Sequence, residues 1–159
     1  MARTLPLALL IASLAVLAGA LAFQYLGGLT PCELCLYERW PYDAAAVLAL
    51  VALVIGRRRS SRIVLIAAGL VFLAGAGLAF YHVGVERHWF PGPSACTGPA
   101  LDASSEAALE AELEATPMVR CDAVQWSLIG VSLAGWNLLA SLVLMLCCAL
   151  GQARLKEAA

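Results

Sequence analysis

Two cysteines three positions apart, Cys32 and Cys35, are the residues whose type and spacing most clearly indicate chemistry. A Cys-x-x-Cys pair can close a small disulfide that exchanges readily, and a thiolate in it can attack or leave in thiol–disulfide exchange. The spacing alone also fits half of a zinc site, a structural disulfide or two buried thiols. Covalent haem is disfavoured, because Leu36 stands where the attachment motif has histidine.

The elements that position this pair must be membrane helices. The chain has 159 residues, of which 62% are hydrophobic and 13% charged, and this is too apolar for a soluble domain. A bilayer core of about 30 Å needs roughly 20 helical residues. The chain has four apolar stretches, and the second, residues 42–55, reaches that length only if its helix extends back to about Cys35. We therefore predict an all-α integral membrane protein, a single domain over residues 1–159. Its four transmembrane helices are expected at about 5–26, 35–55, 63–85 and 124–150.

The first apolar stretch could also be read as a secretory signal, with Arg3 as its charged start and Ala18-Gly19-Ala20 as a small-residue site. Its apolar run is longer than a typical signal core, so a retained first helix is favoured. Both readings leave the Cys-x-x-Cys pair outside the cytoplasm.

Basic residues are concentrated at one side of the predicted bundle. Seven of the ten lie at the two termini or in the loop 56–62, and they are Arg3, Arg57, Arg58, Arg59, Arg62, Arg154 and Lys156. By the positive-inside rule, both termini and this loop face the cytoplasm, and the loops 27–40 and 86–123 face outside. A nucleic-acid patch is the competing reading of the arginine run, but its place between two spanning helices disfavours that reading. We expect a lipid bilayer, and no nucleic acid, as the surrounding partner.

The outer loops hold four of the six cysteines. These four allow three pairings, of which Cys32 with Cys35 and Cys96 with Cys121 is the natural one. The rival is a four-cysteine zinc site, which is disfavoured because zinc ribbons pair two Cys-x-x-Cys knuckles, whereas Cys96 and Cys121 are 25 positions apart. No metal site is predicted.

Other conspicuous residues have simpler interpretations. The vicinal Cys147-Cys148, near the cytoplasmic end of the fourth stretch, are read as apolar filler or a lipidation site with no catalytic role. The cluster with His82, Glu86 and His88 is typical of an aromatic belt with snorkelling charges. Within the second outer loop, residues 102–115 are expected to form a short acidic helix.

The motif Cys32-Glu33-Leu34-Cys35-Leu36-Tyr37-Glu38-Arg39 after the first helix, together with two further cysteines in the second outer loop, resembles the DsbB family of bacterial inner membranes. The resemblance extends over nearly the whole chain, including Trp136-Asn137 in the fourth helix. It implies a membrane disulfide oxidase that reoxidises a periplasmic DsbA-like thioredoxin-fold oxidase and transfers electrons to membrane quinone, either ubiquinone or menaquinone.

The resemblance also implies roles for individual residues. Cys96 is the cysteine that the partner attacks, Cys121 is its disulfide mate, and Cys32 with Cys35 is the pair near the quinone. Cys35 matches the cysteine that faces the quinone ring, and Arg39 matches the arginine that supports quinone binding. No functional histidine is implied, because the outer end of the third helix matches the family only loosely.

The spacing of Cys35 and Arg39 is compatible with these roles. Four residues apart on one helix, they would share a face, so the guanidinium could stabilise a Cys35 thiolate and a quinone oxygen that gains negative charge. Two alternatives remain open. One is a reductase of the vitamin K epoxide reductase type, in which the Cys-x-x-Cys follows the loop cysteines instead of preceding them. The other is a membrane scaffold whose disulfides are only structural.

Overall fold

The structure is a computed structural model, and it describes residues 3–97 and 119–157. Within these residues the chain forms α1 (Thr4–Tyr25), α2 (Glu33–Tyr37), α3 (Trp40–Ile55), α4 (Arg58–Glu86), α5 (Ser94–Thr97), β1 (Ser127–Leu128), β2 (Val131–Ser132) and α6 (Leu133–Glu157). The acidic helix expected over 102–115 lies outside the described residues.

Within residues 3–97 and 119–157, four long helices make up the bundle. The segments Thr4–Tyr25, Arg59–Glu86 and Leu133–Leu155 are each long and apolar enough to cross a membrane. The remaining long helix, α3, is shorter. It has 16 residues and so spans about 24 Å at about 1.5 Å per residue. Helix α3 packs between α1 and α4, and α4 packs along α6. The predicted all-α membrane fold is confirmed, with one two-stranded hairpin added to it.

Small residues form the interior of the bundle, and large apolar residues face outward. Ala45, Ala49 and Ala52 on α3 are fully buried against Ala68 and Phe72 of α4. Such residues let helices approach closely where the surrounding solvent is lipid. Leucines and valines on all four long helices are exposed instead, among them Leu14, Val54, Leu73 and Val143. This inside-out distribution is the one expected of a protein whose outer surface contacts hydrocarbon.

The helix predicted over 35–55 is interrupted. Helix α2 ends at Tyr37, Glu38 and Arg39 form a turn, and α3 begins at Trp40. The physical reason is Pro41, which has no N–H to donate to the carbonyl of the preceding turn and is tolerated at the first positions of a new helix. Cys35 and Arg39 therefore do not share the face of one continuous helix, as the sequence analysis expected.

The fourth long helix begins later than its predicted start near residue 124. Residues Ser127–Ser132 instead form a hairpin whose turn has Ile129 at φ 55° and Gly130 at φ 75°. Two central residues with positive φ produce the tight turn that matches the twist of antiparallel strands. The Ser132 hydroxyl then accepts the Gly135 N–H at 3.1 Å and caps α6. The same hydroxyl donates to Glu86 Oε2 at 2.5 Å, which ties the hairpin to the end of α4.

The two ends of the bundle differ in chemistry. We call the end that carries Cys32, Cys35, Cys96 and Cys121 the cysteine end. The opposite end, which we call the arginine end, joins α3 to α4 through Gly56 and Arg57, with Gly56 at φ 67° closing α3. Helix α4 begins at Arg58, so most of the arginine loop predicted over 56–62 is helical. The Arg3 side chain lies beside Gly56, which places the start of α1 at the arginine end.

Candidate active site

The first cysteine pair is organised by the short helix α2. Cys32 is the N-cap of α2, and its sulfur accepts the Cys35 backbone N–H at 3.3 Å. Both cysteines are free thiols, and their two sulfurs lie 2.8 Å apart in hydrogen-bond contact. Cys32 has an extended backbone, with φ −73° and ψ 171°, which is the shape that an N-cap requires. The two thiols are thus held together before any disulfide forms between them.

These contacts make the two thiols unequal. The hydrogen bond from the Cys35 thiol lowers the pKa of Cys32, against an opposing effect of burial. The same hydrogen bond raises the pKa of Cys35, and burial raises it further. Cys32 is therefore the thiol that this arrangement favours as a thiolate, because it accepts hydrogen bonds that stabilise the charged form. The sequence analysis expected Cys35 in that state, since it placed Arg39 on the same helical face.

The second pair is a disulfide between Cys96 and Cys121, with a Cα–Cα distance of 5.4 Å. This is the pairing that the sequence analysis favoured for these two cysteines. Cys96 belongs to α5, and the Cys121 N–H donates to the Cys96 carbonyl at 3.1 Å, so the backbone also joins the two segments. Arg120 and Asp122 flank Cys121 and form a bidentate ion pair with N···O distances of 2.9 and 2.7 Å.

The two pairs are adjacent in space. The sulfurs of Cys32, Cys96 and Cys121 all lie within 4.8 Å of one another. All three are buried, in an apolar cluster that also contains Leu34 and Val85. A thiolate exchanges with a disulfide by direct attack on one of its sulfurs, so Cys32 is placed beside a possible reaction partner. The arrangement can carry out thiol–disulfide exchange between residues 64 or more positions apart in the sequence.

A buried polar network adjoins the first pair. Glu38 Oε1 contacts His82 Nδ1 at 2.8 Å, and Glu38 Oε2 accepts from Asn137 Nδ2 at 2.8 Å. The Tyr42 hydroxyl donates to Asn137 Oδ1 at 2.5 Å and lies 2.9 Å from Ser141 Oγ. These contacts connect the turn after α2 with α3, α4 and α6. Buried ionisable groups at this depth are costly unless paired, so their presence points to a function at this end.

A cavity of about 360 Å³ opens between α1 and α6 at the cysteine end. Its walls are mostly apolar, with Phe23 from α1 and Trp136 from α6 among them. Cys35, Arg39 and Glu38 also line it, so the sequence-predicted residues Cys35 and Arg39 do meet at one space despite the break in the helix. Arg39 Nη1 donates to Gln24 Oε1 of α1 at 2.9 Å. An apolar space with a few polar groups at one end is typical of a small-molecule site.

Sequence reasoning missed part of this site. It assigned no role to His82, and it did not single out Glu38 or Gln24 as polar groups of the cavity region. The available signal was that an ionisable residue within a spanning helix is a functional hypothesis by default. Cys147 and Cys148 lie near the arginine end of α6, where Cys147 is exposed and Cys148 is buried in the bundle interior. Cys147 and Cys148 lie apart from the four cysteines of the cysteine end.

Comparison with known proteins identifies the family of this chain. A family model described as disulfide bond formation protein DsbB matches residues 2–151. A protein of Aromatoleum aromaticum named disulfide bond formation protein B is 34% identical over 141 residues, which is 82% of this chain and 82% of that protein. Proteins of the same name are 32% identical over 145 residues in an Azoarcus species, covering 86% of this chain and 84% of the relative, and 30% identical over 147 residues in Acinetobacter baumannii, covering 88% and 84%. The chain belongs to the DsbB family of membrane disulfide bond formation proteins.

Proposed function

We propose that this protein is a thiol:quinone oxidoreductase that reoxidises a periplasmic DsbA-like thioredoxin-fold protein and passes the electrons to membrane quinone. One observation carries the proposal. Cys35 lines the cavity, whereas the sulfur of Cys32 lies within 4.8 Å of both sulfurs of the Cys96–Cys121 disulfide. One cysteine pair is therefore adjacent both to a ligand-sized space and to a second redox pair.

The exchange chemistry begins at the loop disulfide. A thiolate of the partner attacks Cys96 Sγ, the disulfide breaks, and its electron pair leaves on Cys121. The partner's second thiolate then displaces Cys96, which leaves the partner oxidised and both loop cysteines reduced. Attack by a loop thiolate on a Cys32–Cys35 disulfide, resolved by the other loop thiolate, restores Cys96–Cys121 and leaves Cys32 and Cys35 as thiols. The structure has this bonding state, with Cys96–Cys121 bonded and the other two free.

The residues of the cavity fit a quinone head group. The apolar walls, with Phe23 and Trp136, suit a planar ring and an isoprenoid tail, and Arg39 and Gln24 provide polar atoms for ring oxygens. Quinone bound there supplies a two-electron acceptor for the oxidation of Cys32 and Cys35 to a disulfide. Arg39 holds a permanent positive charge at the cavity wall, where it favours an oxygen that gains electron density.

The distribution of charge supports an orientation in the bacterial inner membrane. Arg3, Arg57 and Arg154 belong to the arginine end, and the positive-inside rule assigns that end to the cytoplasm. Both termini are then cytoplasmic, and both cysteine pairs face the periplasm. Labelling of introduced surface cysteines in intact cells with an impermeant reagent should mark position 89 and spare position 57. The reverse pattern would refute the orientation.

The function is tested with purified protein, a reduced DsbA-like partner and a soluble quinone. We expect quinone reduction that depends on the partner, with one partner disulfide formed for each quinone consumed. The double variant Cys147→Ala, Cys148→Ala is the matched control and should retain the wild-type rate. A membrane scaffold would reduce no quinone, and that result would reject the proposal. A reductase of the vitamin K epoxide reductase type would also pass thiol electrons to a quinone, but its Cys-x-x-Cys follows the loop cysteines, whereas here Cys32 and Cys35 precede Cys96 and Cys121.

A further inference from the structure

The imidazole of His82 bridges the first cysteine pair to the turn between α2 and α3. His82 Nε2 lies 3.7 Å from Cys32 Sγ, and His82 Nδ1 lies 2.8 Å from Glu38 Oε1. All three residues are at most 7% exposed, so bulk water does not exchange freely with any of them. A nucleophile, a base in contact with it and a carboxylate that orients the base form the arrangement that activates nucleophiles in many enzymes.

The bonding fixes which atom of the ring carries the proton. An ionised carboxylate only accepts hydrogen bonds, so Nδ1 must carry the proton that it donates to Glu38. In the neutral ring Nε2 then carries an unshared electron pair, and this nitrogen faces the Cys32 sulfur. Asn137 fixes the carboxylate in turn, because the Tyr42 hydroxyl occupies the amide oxygen and leaves the amide nitrogen to donate to Glu38 Oε2. The imidazole is thus held in the tautomer of a base toward Cys32.

Glu38 also connects this base to the cavity. Glu38 lines the cavity together with Cys35 and Arg39. A path of three groups, Cys32, His82 and Glu38, therefore leads from a buried sulfur to the cavity wall. The other titratable neighbours of His82 are Cys35 and Glu86, and the Glu86 carboxylate accepts from Ser132. Glu38, not Glu86, is the carboxylate in contact with the ring.

We propose that His82 is a catalytic base that takes the Cys32 thiol proton at Nε2, and that Glu38 takes the Nδ1 proton and holds it at the cavity wall. The S–H bond of Cys32 and the Nδ1–H bond break, and an Nε2–H bond and an Oε1–H bond form. The step transfers two protons and no electrons, so no group is oxidised or reduced and the total charge of the three groups is unchanged. The inference rests on the proposed function, because oxidation of two thiols to a disulfide releases two protons and Cys32 is the thiol farther from the cavity lining.

The first test uses reduced protein without quinone and without partner. Alkylation of each cysteine is followed by mass spectrometry across pH, in wild type and in His82→Gln. Loss of the imidazole should slow Cys32 alkylation about tenfold at neutral pH, which corresponds to about one pKa unit. His88→Asn is a matched control because His88 is an exposed polar residue at the same end, and Glu33→Gln is a second because the half-buried Glu33 carboxylate accepts from Tyr37. Both variants should keep the wild-type profile. An unchanged Cys32 profile in folded His82→Gln would overturn the inference.

The second test needs no substitution at the proposed relay. The chain has two histidines, so nitrogen-15 labelling of histidine gives two ring signals, and His88→Asn assigns them. We expect His82 Nε2 to be protonated at neutral pH when Cys32 and Cys35 are reduced, and unprotonated when they form a disulfide. An unprotonated Nε2 in both states would contradict proton transfer from Cys32.

Glu38 is tested by turnover. Glu38→Gln should lower kcat about tenfold with the quinone KM changed less than twofold, and Glu38→Asp should recover part of kcat because it keeps the carboxylate. Equal loss in the two variants would assign Glu38 a purely structural role. The two proposals can fail separately. Wild-type protein that reduces no quinone refutes the proposed function, whereas the alkylation and nitrogen measurements judge the base without any turnover.

Discussion

The two ends of the bundle each bring cysteines together, and only one of them builds a site. At the cysteine end, the Cys32 sulfur contacts the Cys35 thiol, accepts a backbone N–H, and lies beside a disulfide and an imidazole. At the arginine end, Cys148 packs in the apolar interior beside Gly69, and its neighbour Cys147 is exposed. We infer that the groups around a cysteine sulfur decide whether it takes part in redox chemistry, more than its spacing from another cysteine in the sequence.

The strongest test of this comparison removes sulfurs at each end. Cys32→Ala or Cys35→Ala should abolish quinone reduction, because the electrons then lack the pair beside the cavity. Cys147→Ala and Cys148→Ala, alone or together, should leave the rate within about twofold, since van der Waals packing is all they lose. Steady-state rates in detergent measure both effects. Residual turnover in Cys35→Ala above the level without protein would break the comparison.

The order of the disulfide exchange steps can be tested by trapping an intermediate. In Cys121→Ala, the Cys96 thiolate can displace Cys35 from a Cys32–Cys35 disulfide and bond to Cys32, whose sulfur lies within 4.8 Å. Attack of a partner thiolate on Cys96 then releases Cys32 as a thiolate, and a mixed disulfide between Cys96 and the partner should accumulate because Cys121 is not there to resolve it. Non-reducing electrophoresis and peptide mapping identify the linked cysteines. An adduct on Cys32 with none on Cys96 would reverse the assigned order.

Arginine substitutions at the two ends should differ by about an order of magnitude. Arg39→Ala should raise the quinone KM about tenfold, which corresponds to about 1.4 kcal/mol, because the cavity loses its cation. Arg39→Lys should be milder, since charge survives although the planar fork of donors does not. Arg154→Ala at the arginine end is the control. Quinone titrations that give equal KM values for Arg39→Ala and Arg154→Ala would reduce Arg39 to an interfacial anchor.

The smallest expected effect concerns how closely each end is packed. A Cβ at Gly84 would meet the Phe90 ring at 2.1 Å, whereas a Cβ at Gly69 would meet Cys148 Cβ at an ordinary 3.5 Å. Gly84→Ala should therefore cost about 1–2 kcal/mol of stability, because the Phe90 ring must move. Gly69→Ala should be neutral or slightly stabilising, since alanine favours helix. Reversible denaturation in mixed micelles measures both, and equal changes would contradict the tighter fit at the cysteine end.

The main features of the fold were predictable from composition alone. Apolar length predicted the spanning helices, and the first of them, expected over 5–26, is Thr4–Tyr25 in the structure. The breaks were harder to predict. Pro41 was compatible with a bent helix or a new one, and contacts with α4 decide the matter, because Gly75 leaves room there for the proline ring. The Ile129-Gly130 turn is also weakly marked, since isoleucine rarely adopts a positive φ.

The site was predictable in its sulfurs and less so in its polar groups. Spacing indicated that Cys32 and Cys35 form a pair and that Cys96 and Cys121 form another. The proximity of the two pairs could not follow from spacing, because it depends on how α5 folds back over α2. Glu38 and His82 are 44 positions apart, and their contact exists only because the turn after α2 meets the end of α4.

The central claim is that quinone occupies the cavity between α1 and α6, beside Cys35. Photolabelling with an azido-quinone, followed by peptide mapping, tests it most directly. We predict labels on the α1 segment that contains Phe23 and the α6 segment that contains Trp136, and we expect excess unlabelled quinone to suppress them. Labelling confined to the outward faces of the bundle, or labelling that unlabelled quinone does not displace, would contradict the account.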